Sequence, residues 1–426
     1  GGGDLTVQGG AARLALRGPG LVMMAMGATP GECLDALEAA LARGTEPPDE
    51  EPRLAPLAKR LATIRDPRVR RAAEDVAQLL VAQLGADGSS IAGHFYHLGY
   101  VRDQYGVSRA LLALGLHELA RALLARLERA WRQCGRLSNA HGAGFPWIEH
   151  RHENDDVEIT GYAIVQAFDY LRRAGDAEFV RGLFPFLAWC HEAQSRWLCN
   201  GMLPFNGDET YVAGGVFPRA QLNDGSAEAT LLFIEGGEQL VAFASQHALW
   251  SPGRCAAESA TLAAARAAYA GNFLVEGRLA ANNPAWRPID AWPRHRQGVC
   301  EKSGRFGWMV RDENGRYVMP DAPSGSPGLA PRPRHFVRSI ALSPLYFGST
   351  LVPRAMVAAE AEAAARRFLD TGHLPSRDDG NVTVGYDFGL LLSVLVEARS
   401  TLAGAVAERV LALRDATGAW VEYYDD

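Results

Sequence analysis

From Pro67 to Leu84 the apolar residues Val69, Ala73, Val76, Leu79, Leu80 and Leu84 recur mostly at intervals of three and four, which gathers them on one face of a helix. The same periodicity predicts helices over 104–116, 117–134, 157–174, 177–197, 226–247, 253–275, 339–348, 353–369, 382–398 and 402–414, about eleven with the first. Gly or Pro ends several of them, and no strand runs separate them as a parallel α/β sheet would require. A solenoid needs a fixed period, whereas loop lengths here vary and no motif recurs. The pattern therefore predicts a mainly α chain whose helices pair into a closed double ring.

Two stretches break the pattern. At the start, Leu5–Gln8, Ala12–Arg17 and Leu21–Met26 read as short strands between Gly-Gly and Gly-Pro-Gly turns, followed by a helix over 32–43 with Thr29 as cap and Pro30 in its first turn. Between 282 and 334, prolines and tryptophans surround an apparent hairpin, 306–311 and 316–319, turned by Asp312-Glu313-Asn314-Gly315. The expected organisation is a short β element over 1–28, a linker helix region over 29–66, and a helical ring over 67–426 carrying the insertion near 282–334.

Composition narrows the partners. The net charge is −6 and the 43 basic residues are scattered, so no stripe fits a phosphate backbone and no patch fits an anionic membrane. No apolar run reaches the ~18 residues of a membrane span, and no signal peptide is visible. A cytoplasmic location is expected, although the start at Gly1-Gly2-Gly3 is compatible with a trimmed leader. Cys33, Cys134, Cys190, Cys199, Cys255 and Cys300 lack paired spacing and read as reduced thiols, Cys190 with Cys199 being the one conceivable pair. His94 and His97 stand three apart without a third ligand nearby, and Cys300, His295 and His335 do not have zinc-site spacing, so neither metal nor organic cofactor is expected.

Three segments carry candidate chemistry. His94-Phe95-Tyr96-His97-Leu98-Gly99-Tyr100-Val101-Arg102-Asp103 packs imidazoles, phenols and an Arg-Asp pair before an apolar helix. Such groups line a pyranose pocket well, the rings stacking on sugar faces and the charges bonding hydroxyls; the plainer alternative makes Asp103 a helix cap. Gly207-Asp208-Glu209 places adjacent carboxyls in a Gly/Pro/Asn loop after a long helix, where one acid with raised proton affinity would protonate a leaving oxygen. Trp420-Val421-Glu422-Tyr423-Tyr424 surrounds a single Glu with aromatics, a setting for a base that activates water. Trp147 is a further stacking candidate, while Asp155, Asp156, Glu158, Asp224 and Glu228 read first as helix-entry acids and second as sugar ligands.

Taken together, these segments resemble the glucoamylase family and related (α/α)6 glycosidases, in which an aromatic-x-Arg-Asp segment opens an early helix. Tyr100-Val101-Arg102-Asp103 matches that segment, and Glu422 falls where the family has its general base. The resemblance implies a mainly α (α/α)6 barrel, sugar binding by Tyr96, Arg102 and Asp103, and water activation by Glu422; His97 and Trp147 are further sugar-binding candidates from the residues themselves. The family's general acid usually lies in a Trp-Glu-Glu sequence; here the loop reads Gly207-Asp208-Glu209, which favours Glu209 over Asp208 without deciding between them. The implied activity is exo-acting, inverting hydrolysis of α-linked glucosides or related oligosaccharides. α-L-Rhamnosidases share the early Arg-Asp and the late aromatic-Glu-aromatic, and a sugar epimerase, lyase or non-hydrolytic glycan-binding protein would use the same barrel. A closing helix is expected after Glu422 in this family, whereas the sequence stops at Asp426.

Overall fold

The computed structural model describes residues 3–8, 11–16, 31, 34–35, 38, 52–92, 98–151, 154–206, 224–286, 296–297, 310–311, 317–319, 334–376, 382–415 and 418–425. Two compact units emerge, Gly1–Ala55 and Pro56–Asp426. In the first, strands Gly3–Gln8 and Ala11–Leu16 pair antiparallel, Gly3 opposite Leu16 and Gln8 opposite Ala11. The strand expected at 21–26 and most of the helix expected at 32–43 lie outside the described residues.

The second unit is helical. In chain order its helices are α1 (Leu57–Leu61), α2 (Pro67–Ala82), α3 (Val101–Leu114), α4 (His117–Cys134), α5 (Glu158–Ala174), α6 (Ala177–Ser195), α7 (Ala227–Gln246), α8 (Pro252–Phe273), α9 (Arg338–Tyr346), α10 (Arg354–Thr371), α11 (Gly385–Glu397) and α12 (Ala403–Ala412). Helices α3, α5, α7, α9 and α11 pack in succession as an inner row, each also paired with outer neighbours drawn from α2, α4, α6, α8, α10 and α12. This is the architecture of an (α/α)6 barrel.

Sequence decides which helix goes inside. Helix α5 buries every residue from Glu158 to Phe168, whereas outer α4 buries chiefly the stripe Ala120, Leu123, Leu124, Leu127 and Ala130. A helix apolar on all sides must be covered on all sides, while an amphipathic one is content at the rim. Close approach of the inner helices depends on glycine: a Cβ on Gly161 would lie 2.8 Å from Leu232 Cβ. Fully buried side chains such as Phe186, Phe233 and Leu124 each contribute about 1.5–3 kcal/mol by leaving water.

Boundaries differ from expectation at two places that matter. Helix α3 starts at Val101 rather than 104, with Tyr100 extended before it, so Arg102 and Asp103 sit inside its first turn and neither caps it. The helix expected over 382–398 is instead a strand, Val382–Val384, followed by α11. In the insertion, 310–311 pairs with 317–319, Val310 opposite Val318, and 296–297 joins on the other side. Cys134, Cys190, Cys199 and Cys255 are free thiols, so Cys190 and Cys199 do not pair. Among the described residues no helix is long and apolar enough to cross a membrane.

Candidate active site

Three small sheets each feed an inner helix. Leu98–Tyr100 pairs with Ala140–Gly142, which pairs with Glu149–His150, and Tyr100 leads directly into α3. Leu203–Pro204 and Asn282–Asn283 flank Gly225–Ser226, which leads into α7. Val382–Val384 pairs with Tyr423–Asp425 and leads into α11. The first turns of the inner helices present Arg102, Glu158, Glu228, Ser339, Tyr386 and Asp387.

These side chains form one cluster. The Arg102 guanidinium donates to Glu158 Oε1 at 3.3 Å, and the Glu158 side chain is 1% exposed. One turn further along α5, the Tyr162 hydroxyl donates to Glu228 Oε1 at 2.8 Å. The other carboxyl oxygen of Glu228 is buried without a hydrogen-bond partner among the described residues. Burial raises the proton affinity of Glu228 above the ordinary carboxyl range, against the opposing pull of the Tyr162 hydrogen bond and the Arg102 charge. Tyr386 approaches the same groups: desolvation of its phenol, reinforced by nearby Asp387 and opposed by Arg102, holds it well above its ordinary value.

Glu422 reaches this cluster from the far end of the sequence. Partial burial raises its carboxyl, and Arg102 is the charge that opposes the shift. Arg102 thus lies within electrostatic reach of Glu158, Glu228 and Glu422 together. The segment bearing Glu422, immediately before the strand Tyr423–Asp425, is held by backbone: Gly385 N–H donates to the Glu422 carbonyl at 2.7 Å, and Val384 stands opposite Tyr423. Any Cβ on Gly385 would run into the Val421 carbonyl oxygen, so only glycine lets α11 start this close to the strand.

Behind Gly385 lies a buried support. The Ser376 hydroxyl donates to Asp387 Oδ2 at 2.6 Å and accepts from Val384 N–H at 3.0 Å, while its carbonyl accepts from Arg338 N–H at 2.8 Å. One serine thereby ties the starts of α9 and α11 to the strand that pairs with the Glu422 segment. Asp387 is 0% exposed, and burial pushes its carboxyl up to about 7, against the Ser376 hydrogen bond and the Arg338 charge.

Of the residues singled out in the sequence, Arg102 and Glu422 come together. Asp103 is exposed in the first turn of α3, and Trp147 is 64% exposed on the hairpin turn after Ala140–Gly142. Tyr96, His97, Asp208 and Glu209 lie outside the described residues. The flanks of that last segment are fixed: Asn206 is buried and donates to the Asn154 carbonyl at 3.3 Å, and Asp224 accepts from Asn282 Nδ2 at 2.8 Å. Tyr162, Tyr386 and Asp387 were not anticipated. They sit in helical patterns that look like ordinary core, and only the ring of helix starts reveals them. Glu158 and Glu228, read first as helix-entry acids, are indeed at helix starts and also belong to the cluster.

One set of metal-type ligands exists among the described residues, the Cys134, His141 and Glu149 ligand atoms lying within 4.8 Å of one another. Each is engaged otherwise. His141 Nε2 accepts from Ser138 N–H at 3.0 Å, which leaves Nδ1–H to donate to the Pro146 carbonyl at 2.8 Å. Glu149 accepts from the Ser138 hydroxyl, Arg136 and Arg151, and burial raises the Cys134 thiol away from the thiolate a metal requires. The set reads as a hydrogen-bonded bracket.

A ring of inner-helix starts carrying carboxyls, phenols and the arginines Arg102 and Arg338, on an (α/α)6 barrel, defines a protein with the fold of the six-hairpin glycosidases. No protein-family model matches the sequence, and no curated protein matches it. Solved structures do. A glycosidase variant with a Glu-to-Ala substitution is 15% identical, with 86% of this chain and 88% of that chain covered, at a TM-score of 0.50. A rhamnosidase from Klebsiella oxytoca with rhamnose bound is 12% identical over 85% of this chain at a TM-score of 0.51, and the match spans 58% of that longer chain. At such identities the likeness is one of fold.

Proposed function

We propose that the protein is an inverting, exo-acting glycoside hydrolase on α-linked glucosides or related oligosaccharides. Glu422 serves as general base, Glu209 (or Asp208) donates the proton, and Arg102 with Asp103, Tyr96 and His97 binds the terminal sugar. The observation that carries the reading is the meeting of Arg102 and Glu422, far apart in sequence, at the ring of helix starts. Hydrolysis with inversion needs an acid on the leaving oxygen and a base holding water on the opposite face, with the carboxyls about 6.5–9.5 Å apart. Arg102 opposes the upward shift that partial burial gives the Glu422 carboxyl, favouring the ionised form a base requires, while the exposed Tyr386 supplies a phenol for sugar hydroxyls.

The test is a hydrolysis screen against aryl α-glucosides, aryl α-rhamnosides and disaccharides, with the anomer of the first product followed by NMR. Glu422→Gln should lower turnover by about 10³-fold or more while leaving sugar binding largely intact. Retained hydrolysis in that variant would overturn the base assignment. Glu209→Gln, Asp208→Asn and Glu228→Gln, compared on substrates with good and poor leaving groups, identify the acid, because its loss is rescued by a leaving group that needs no proton. Rescue in Glu228→Gln alone would move the acid to the buried pair with Tyr162.

A further inference from the structure

We infer that a cleft between inner helix α9 and outer helix α10 is a binding site for a small organic monocarboxylate, separate from the proposed catalytic site. The cleft has a volume of about 40 Å³, room for about three water-sized groups. The hairpin after α8, in which Leu274–Val275 pairs with Arg278–Leu279, closes one side, and the charged groups of the lining are Arg278, Arg338 and Glu360. No lining residue belongs to the cluster of Arg102, Glu158, Glu228 and Glu422.

Arg338 sets the charge of the ligand. Its side chain is 6% exposed, and Nη1 donates to Glu360 Oε1 at 2.9 Å, the one side-chain hydrogen bond that Arg338 makes among the described residues. Nε is buried without a partner there. The Nε–Nη2 edge is therefore an unused fork of two parallel donors, the geometry that a carboxylate accepts with both oxygens. A buried donor left unmade is costly, so an oxygen arriving at this edge gains more than it would at an exposed arginine.

The second cation stands on a fixed backbone. Leu274 lies opposite Leu279 and Val275 opposite Arg278, and the turn residues Glu276 and Gly277 have φ of 50° and 77°. Positive φ at both central positions gives the tight hairpin turn whose twist matches its strands. From that base the Arg278 guanidinium lies 4.2 Å from the centre of the Phe336 ring.

Charge and shape together choose the ligand. Two guanidiniums and one carboxylate leave a single positive charge, which a monoanion cancels and a phosphate dianion overshoots. Val337, Ala341, Met356 and Val357 make an apolar side wall, Val337 and Val357 each only 2% exposed. Such a wall suits a short hydrocarbon body and leaves the further oxygens of a phosphate without donors. Arg338 also donates its backbone N–H to the Ser376 carbonyl at 2.8 Å, so a carboxylate bound to its side chain braces the start of α9.

The test uses propionate, with propionamide as its neutral counterpart and inorganic phosphate as an anion without an apolar body, all at one ionic strength. Propionate should raise the melting temperature saturably, with half-saturation at about 1–10 mM, and isothermal titration calorimetry should show one site. Propionamide and phosphate should each bind at least about tenfold more weakly. Arg338→Lys keeps a cation for Glu360 but loses the fork, and Met356→Trp fills the cleft while both arginines stay in place. Each should weaken propionate binding at least about tenfold, with an unchanged far-UV circular dichroism spectrum. Met356 is half-buried, so its variant decides the matter even where Arg338→Lys fails to fold. No saturable effect of propionate up to about 100 mM overturns the inference, as does phosphate or propionamide that binds as well as propionate. Equal propionate binding in the wild type and in Met356→Trp also overturns it, because the anion would then be acting elsewhere on the surface.

Discussion

At the scale of residues, the proposed base Glu422 depends on a glycine as much as on its own carboxyl. Gly385 N–H holds the Glu422 carbonyl, and a methyl group at Gly385 would strike the neighbouring Val421 carbonyl oxygen. Gly385→Ala must therefore push the Glu422 segment away from α11. It should lower kcat more than tenfold, about 1.4 kcal/mol in the barrier, with a smaller change in KM and a retained helical spectrum. Gly389, one turn later in the same helix, has open space where a Cβ would go. Gly389→Ala should leave kcat unchanged and raise stability by about 0.5–1 kcal/mol in thermal or urea unfolding. Equal kinetic behaviour of the two variants would show that the close contact at Gly385 does not position Glu422.

At the scale of elements, Ser376 and Asp387 join α9, α11 and the strand beside Glu422, and this junction titrates. Asp387 is raised by burial from an ordinary 3.8 to about 7, so the folded protein holds a proton there that the unfolded chain releases. Its neutral form is favoured on folding; the sign follows that stability is greatest below about 4, falls as pH rises toward 7, and changes little above, by up to about 4 kcal/mol over the window. Asp387→Asn mimics the protonated form and keeps an acceptor for Ser376. Melting curves from pH 5 to pH 8 should show the wild type losing stability relative to Asp387→Asn; parallel curves would place the carboxyl's titration elsewhere. The same junction marks how far the sequence could be read. Apolar spacing located the long helices within a few residues, because helix faces are written locally. Val382-Thr383-Val384 was read into the following helix, although β-branched residues favour strands, because its partner is the distant 423–425 segment. Arg102 and Glu422 stood out beside aromatics, whereas Glu228, Tyr162 and Asp387 matter only because the barrel brings helix starts together.

At the scale of the whole molecule, charge argues about the substrate. The chain carries −6, and the cluster sets the guanidinium of Arg102, paired to Glu158, against Glu228 and Glu422 as well. Attraction for an anionic sugar is thereby spent within the protein, and the long-range field repels a polyanion. A neutral glycoside feels neither effect. Its KM should stay within about twofold as sodium chloride rises from roughly 50 to 500 mM, a range over which the screening length falls severalfold. A KM that falls with salt would mean that an anionic substrate is being relieved of repulsion. A KM that rises would mean that Arg102 holds a substrate carboxylate or sulfate after exchanging it for Glu158, and Glu158→Gln would then lower KM at low salt. Either slope would replace the neutral oligosaccharide with an acidic one.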